Sequence, residues 1–109
     1  MNVIKSSLEI SKIFSKGKRI NTPSVTLLVL KQSDRASNSS GRIAFIAGKK
    51  IGNAVWRNGA KRRLREISKQ TDLDSMNYDV LLIARKNILQ RDFWTIVKEC
   101  EKVKLKLSK

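Results

Sequence analysis

The sequence predicts an α+β domain in which helices pack on a single sheet. Three observations predict it. Apolar residues recur at helical spacing in three stretches, three short runs are rich in β-formers, and these segments follow one another as α-β-β-α-β-α. The chain has 109 residues. That length suits one domain, read here as residues 1–109.

Each element has a local reason. Ser6-Ser7-Leu8-Glu9 has the form of a capping box, with Ser6 at the N-cap and Glu9 at N3. Ile10, Ile13 and Phe14 follow at helical spacing, and Gly17 is a C-terminal stop, so a short helix runs from Ser7 to Lys16. Pro23 interrupts any helix. Ser24–Lys31 and Arg42–Ala47 read as strands, joined by the polar, Ser-rich loop Gln32–Gly41. Asn53 is placed to cap a helix from Ala54 to Lys69. Asp79–Arg85 is a third strand, apolar enough to be central. Asp92 opens a last helix whose Phe93, Ile96, Val97, Cys100, Val103 and Leu107 form one apolar stripe. Trp56 falls on an apolar arc and is expected in the core, while Trp94 lies off the stripe.

Composition narrows the function. Lys plus Arg number 24 against 9 Asp plus Glu, a formal net charge of +15. There is no histidine, which excludes His-based acid–base chemistry and His metal sites. The single cysteine, Cys100, excludes thiolate zinc sites and an internal disulfide, which fits a reducing cytoplasm. The carboxylates are scattered; Asp72/Asp74 and Glu99/Glu101 are close in sequence and read as solvated surface. The longest apolar runs, Val25–Leu30 and Val80–Ala84, fall well short of the roughly 20 residues of a membrane span. The amino terminus lacks a secretory signal core. No membrane association is expected. A polyanion binder is favoured over a self-sufficient enzyme.

The chemistry concentrates in Lys49–Arg65, KKIGNAVWRNGAKRRLR, which holds seven basic residues and no acidic one. At about 100° per residue, Trp56, Ala60, Leu64 and Ile67 share an arc of roughly 80°, the core face. Arg57, Asn58, Lys61, Arg62 and Arg65 fill an adjoining arc of roughly 140°. Gly59 and Glu66 lie at its far edge, and Arg63 points to a different arc. Arg57, Lys61 and Arg65 are spaced four apart and repel by a few tenths of a kcal/mol per pair, a cost that a bound polyanion removes. Guanidinium groups grip phosphate oxygens bidentately and stack on bases. Lys49, Lys50 and Gly52 lead into the positive end of the same helix. A strand, not a helix, precedes it, so no helix-turn-helix is formed. An irregular RNA surface suits it better than a DNA groove.

The run Lys49-Lys50-Ile51-Gly52-Asn53-Ala54-Val55, then Arg57-Asn58-Gly59-Ala60-Lys61-Arg62-Arg63-Leu64-Arg65-Glu66, resembles the signature of the bacterial ribonuclease P protein component. Ile13-Phe14, Gly17-Lys18 and Asp79 with Ile83-Ala84-Arg85 extend the resemblance over nearly the whole chain. The resemblance implies a small two-layer sandwich with a mixed sheet of about four strands. It also implies a left-handed βαβ crossover, as in the second domain of ribosomal protein S5. It further implies the protein subunit of a ribonucleoprotein in which a catalytic RNA, with magnesium bound mainly by that RNA, removes the 5′ leader of precursor tRNA. No protein side chain is then catalytic and no obligate protein partner is needed. Carried over position by position, Arg57, Asn58, Lys61, Arg62 and Arg65 would contact the RNA subunit, supported by Lys49, Lys50 and Asn53. Phe14 would contact the leader in a cleft between the first helix and the sheet. Three positions depart from the family pattern. Gly59 replaces an arginine, Ile10 replaces a cleft aromatic, and Leu28 or a neighbour replaces another in the first strand. The alternative is a ribosomal-protein-like RNA binder or RNA chaperone without a role in catalysis.

Overall fold

A computed structural model describes residues 3–4, 6–31, 41–73 and 78–107. Seven elements follow in order: α1 (Ser7–Lys16), β1 (Lys18–Asn21), β2 (Val25–Lys31), β3 (Arg42–Ile46), α2 (Ala54–Thr71), β4 (Tyr78–Ala84) and α3 (Phe93–Leu107). The four strands form one sheet in the order β1-β2-β4-β3. β1 pairs antiparallel with β2 and β2 antiparallel with β4, while β3 runs parallel to β4. The sheet is therefore mixed, and α2 supplies the long crossover that a parallel pair requires. Residues 32–40 of the expected Ser-rich loop lie outside the described residues, as does Asp74.

β1 is the strand that residue patterning missed. Its four residues, KRIN, carry two cations and lie at the sheet edge, where charge discourages pairing with other chains. Thr22 closes the turn into β2: its backbone N–H and its hydroxyl both donate to the Val25 carbonyl, at 2.9 and 2.7 Å. The Thr22 hydroxyl oxygen also accepts from the Val25 N–H at 3.1 Å. Pro23 sits inside that turn, where its missing N–H costs nothing.

Strand alternation divides the core in two. Val25, Leu27, Val29, Ile43, Val80 and Leu82 face α2 and α3, which contribute Ala60, Leu64, Ile67, Ile96, Val97, Cys100 and Val103. This is the larger core and the main two-layer stack. The opposite face carries Leu28, Ala44 and Leu81 beneath Ile13 of α1 and Ile4. The short α1 thus adds a partial third layer. Leu28 is only 2 % exposed, so it offers the cleft no surface.

The expected stop at Gly17 holds, and one local expectation is corrected. Gly17 ends α1 in an extended conformation (φ −73°), not in a left-handed cap. Its glycine is required by proximity instead, since a Cβ would lie 2.5 Å from the Ile13 carbonyl oxygen and 3.1 Å from that of Val29. Glu99 is not solvated surface. Its carboxylate accepts two hydrogen bonds from Arg91, at 2.8 and 3.0 Å, pinning the turn after β4 to α3.

Candidate nucleic-acid interface

α2 begins where Asn53 accepts a hydrogen bond from the Trp56 N–H at 2.9 Å. Its first turn holds no acidic side chain, so the positive helix end is left for an outside anion. Lys49 and Lys50 are exposed in the turn just before it. Gly52 lets the Trp56 ring fold back over the backbone, where a Cβ would come within 2.7 Å of the ring. Trp56 is consequently half-buried at the rim of the core instead of sealed inside it.

Ala60, Leu64 and Ile67 are completely buried, as the helical wheel requires. That orientation fixes the opposite face. Asn58, Lys61, Arg62 and Arg65 are exposed and Arg57 is half-buried. The Arg57 guanidinium bends toward the Gly52 carbonyl at 3.5 Å, the limit of bonding distance. The Arg65 guanidinium lies over the Phe45 ring, 5.5 Å from its centroid, which steadies it without neutralising it. Among the described residues, none of Arg57, Lys61, Arg62 and Arg65 forms an ion pair. Glu66, the acidic residue nearest the ridge in sequence, is turned to Lys69 at 3.4 Å. The structure thus brings five of the expected residues onto one outward face, with Lys49, Lys50 and Asn53 at its leading end. Asn53 spends its side-chain carbonyl on the cap, leaving its amide N–H groups for a ligand.

Arg63 behaves differently from its neighbours. Its guanidinium donates to the carbonyls of Ile88 and Arg91, at 3.2 and 2.8 Å, and lies 5.6 Å from the Phe93 ring centroid. It braces α2 against the turn before α3. The wheel signalled this, since position 63 falls beside the apolar arc. Arg42 also serves the fold. It spans Asp79, at 3.2 and 2.8 Å, and Glu9, joining β3, β4 and α1. These charge-assisted bonds raise its pKa, with Asp79 the larger influence.

Phe14 is separated from the ridge. It is 45 % exposed on α1, outside both cores. The strand register sets Asn21, Thr26, Ile83 and Ile46 in one row across the sheet face that α1 covers only in part. Asn21 is exposed and Ile83 and Ile46 are half-buried, so the row is accessible except at the buried Thr26. Among the described residues, no group of three or more His, Cys, Asp or Glu is placed to hold a metal ion, and no helix is long and apolar enough to cross a membrane.

Comparison with known proteins gives the same answer from another direction. The ribonuclease P family model matches residues 1–108. The ribonuclease P protein component of Natranaerobius thermophilus is 31 % identical over 107 residues, covering 97 % of this chain and 86 % of that protein. That of Syntrophomonas wolfei is 35 % identical over 104 residues, covering 88 % and 84 %. The RNase P protein of Staphylococcus aureus superposes with a TM-score of 0.77 at 27 % identity, covering all of this chain and 96 % of the other. The Thermotoga maritima protein, at 23 % identity and a TM-score of 0.75, shares the fold. With a basic ridge free of carboxylate partners among the described residues, a matching fold and a family match along almost its full length, this chain belongs to the ribonuclease P protein family.

Proposed function

We propose that the chain acts as the protein subunit of ribonuclease P by gripping the RNA subunit along the ridge of α2, while that RNA cuts precursor tRNA to give the mature 5′ end. The carrying observation is the outward face of Arg57, Asn58, Lys61, Arg62 and Arg65, whose cations have no ion-pair partner among the described residues. Phosphates of the RNA take the place of those missing counter-ions. Lys49, Lys50 and the amide of Asn53 extend the contact past the helix end.

The protein's contribution is binding and positioning. Neutralising backbone phosphates lowers the repulsion between catalytic RNA and substrate RNA. Phe14 and the accessible members of the row, Asn21, Ile83 and Ile46, hold the single-stranded 5′ leader. With Ile10 half-buried and Leu28 covered, leader contact there rests on Phe14, aliphatic surface and nearby charge. The chemistry belongs to the RNA, with magnesium held mainly by the RNA. The chain needs no protein partner for this role and works in the cytoplasm, where the lone, buried Cys100 stays reduced.

The test is reconstitution of this protein with the RNA subunit of the same cell. Precursor tRNA should be cut once, at the mature 5′ end, at lower magnesium with protein than without. RNA binding with no gain in leader removal would instead support an RNA chaperone or a ribosomal-protein-like role.

A further inference from the structure

Beside the ridge, a groove of about 380 Å³ opens between α2 and the start of α3, lined by Gly59, Arg62, Arg63, Glu66, Leu89 and Phe93. Gly59 keeps it open. A Cβ there would already lie 3.3 Å from a terminal methyl of Leu89, and any longer side chain would occupy the groove. The walls are chemically distinct. Leu89, 41 % exposed, and Phe93 supply apolar surface. Arg63 supplies a cationic plane held in place by the Ile88 and Arg91 carbonyls. Glu66 contributes a carboxylate acceptor. Arg62 belongs to both the groove and the ridge, so a chain whose phosphates lie along the ridge passes the groove's mouth.

We propose that this groove receives one unstacked nucleobase of the RNA held by the ridge; the proposal rests on the RNA-binding reading above and names a base contact within it. A base is a flat, neutral heterocycle with donors on its edge. Its faces suit an apolar wall and a fixed guanidinium plane, and its edge suits the Glu66 acceptor. A bare anion would meet the Glu66 carboxylate. An aliphatic side chain would leave Arg62 and the Glu66 carboxylate without a polar partner in the groove. The groove therefore adds recognition of a base to a helix that otherwise contacts backbone.

The test uses the whole protein with its transcribed RNA subunit. Gly59→Leu fills the groove without changing charge, and it replaces a helical glycine by a good helix former. Leu89→Ser removes an apolar wall outside α2. Each should weaken RNA binding by about 10-fold, the scale of one lost base stack. The slope of log affinity against log salt should stay unchanged, because no phosphate contact is removed. Chemical probing should show one RNA base protected by the wild-type protein and exposed in both variant complexes. Wild-type affinity and protection in both variants would overturn the base pocket. A wild-type protein that fails to bind the RNA, or binds it without salt dependence, would mark failure of the underlying RNA-binding reading instead.

Discussion

Arg62 and Arg63 are adjacent and chemically identical, yet the structure gives them different surroundings. Truncating each to alanine separates the two. Arg63 directs charge-assisted hydrogen bonds at two carbonyls and lies over Phe93. A hydrogen bond involving a charged group contributes about 1.5–3 kcal/mol net. A partly exposed cation–π contact adds about 0.5–1 kcal/mol. Both carbonyl bonds leave the same nitrogen of a half-buried side chain, so they count as one interaction here. Arg63→Ala should then destabilise the fold by about 2–4 kcal/mol. For a domain of this size that lowers Tm by about 10–15 °C. Arg62 is exposed and has no ion-pair partner among the described residues, so Arg62→Ala should stay within about 0.5 kcal/mol of wild type. Urea unfolding at constant m reads the difference directly. RNA binding should invert the order: Arg62→Ala should reduce the salt slope by about 1 and Arg63→Ala should leave it unchanged. Equal stability losses in the two variants, or a larger loss at Arg62, would refute the separation of structural from RNA-facing arginines.

Three further predictions concern the fold. Gly17→Ala drives a methyl into two backbone carbonyl oxygens and should cost about 1–3 kcal/mol in urea unfolding, despite the usual entropic gain of replacing glycine; an unchanged or higher midpoint would contradict the close approach. Burial pushes the Cys100 thiol up to about 12, so it should resist thiol reagents at mildly alkaline pH and react at once in denaturing urea, and rapid labelling of the native protein would show it to be open. Asp92 accepts from the Thr95 N–H and hydroxyl, which hold its pKa below the usual 3.8. The folded state therefore binds this proton less readily than the unfolded state. Its stabilisation is present above pH 3.8 and fades as pH falls through the lower folded value. Asp92→Asn should lose less Tm than wild type on acidification across that window, and parallel curves would remove Asp92 from the acid response.

Much of this was legible in the sequence because amphipathic period and burial agree. The helix boundaries of α1 and the start of α2 follow from Ser6 and Asn53, which both cap as their residue types suggest. The exposed ridge follows from the burial of Ala60, Leu64 and Ile67 on the opposite side. β1 was not legible from patterning, because two of its four residues are cations and its pairing is set by the Thr22 turn, not by apolar alternation. Contacts between distant segments were hidden for the same reason. Nothing local announces that Glu99 meets Arg91, or that Phe45 lies under Arg65. Gly17 illustrates a residue type read correctly at the right place for another reason: it ends the helix, but the demand for glycine comes from the close carbonyl oxygens of Ile13 in α1 and Val29 in β2.

The central claim is that phosphates of the RNA subunit replace the counter-ions missing from the outer face of α2. The most direct measurement is RNA affinity against salt for the wild-type protein and for a variant with Arg57, Lys61, Arg62 and Arg65 all changed to alanine. Four lost phosphate contacts should make the log–log slope shallower by about 3–4, with folding retained. A variant that stays folded and keeps the wild-type slope would place the RNA on some other face of the protein.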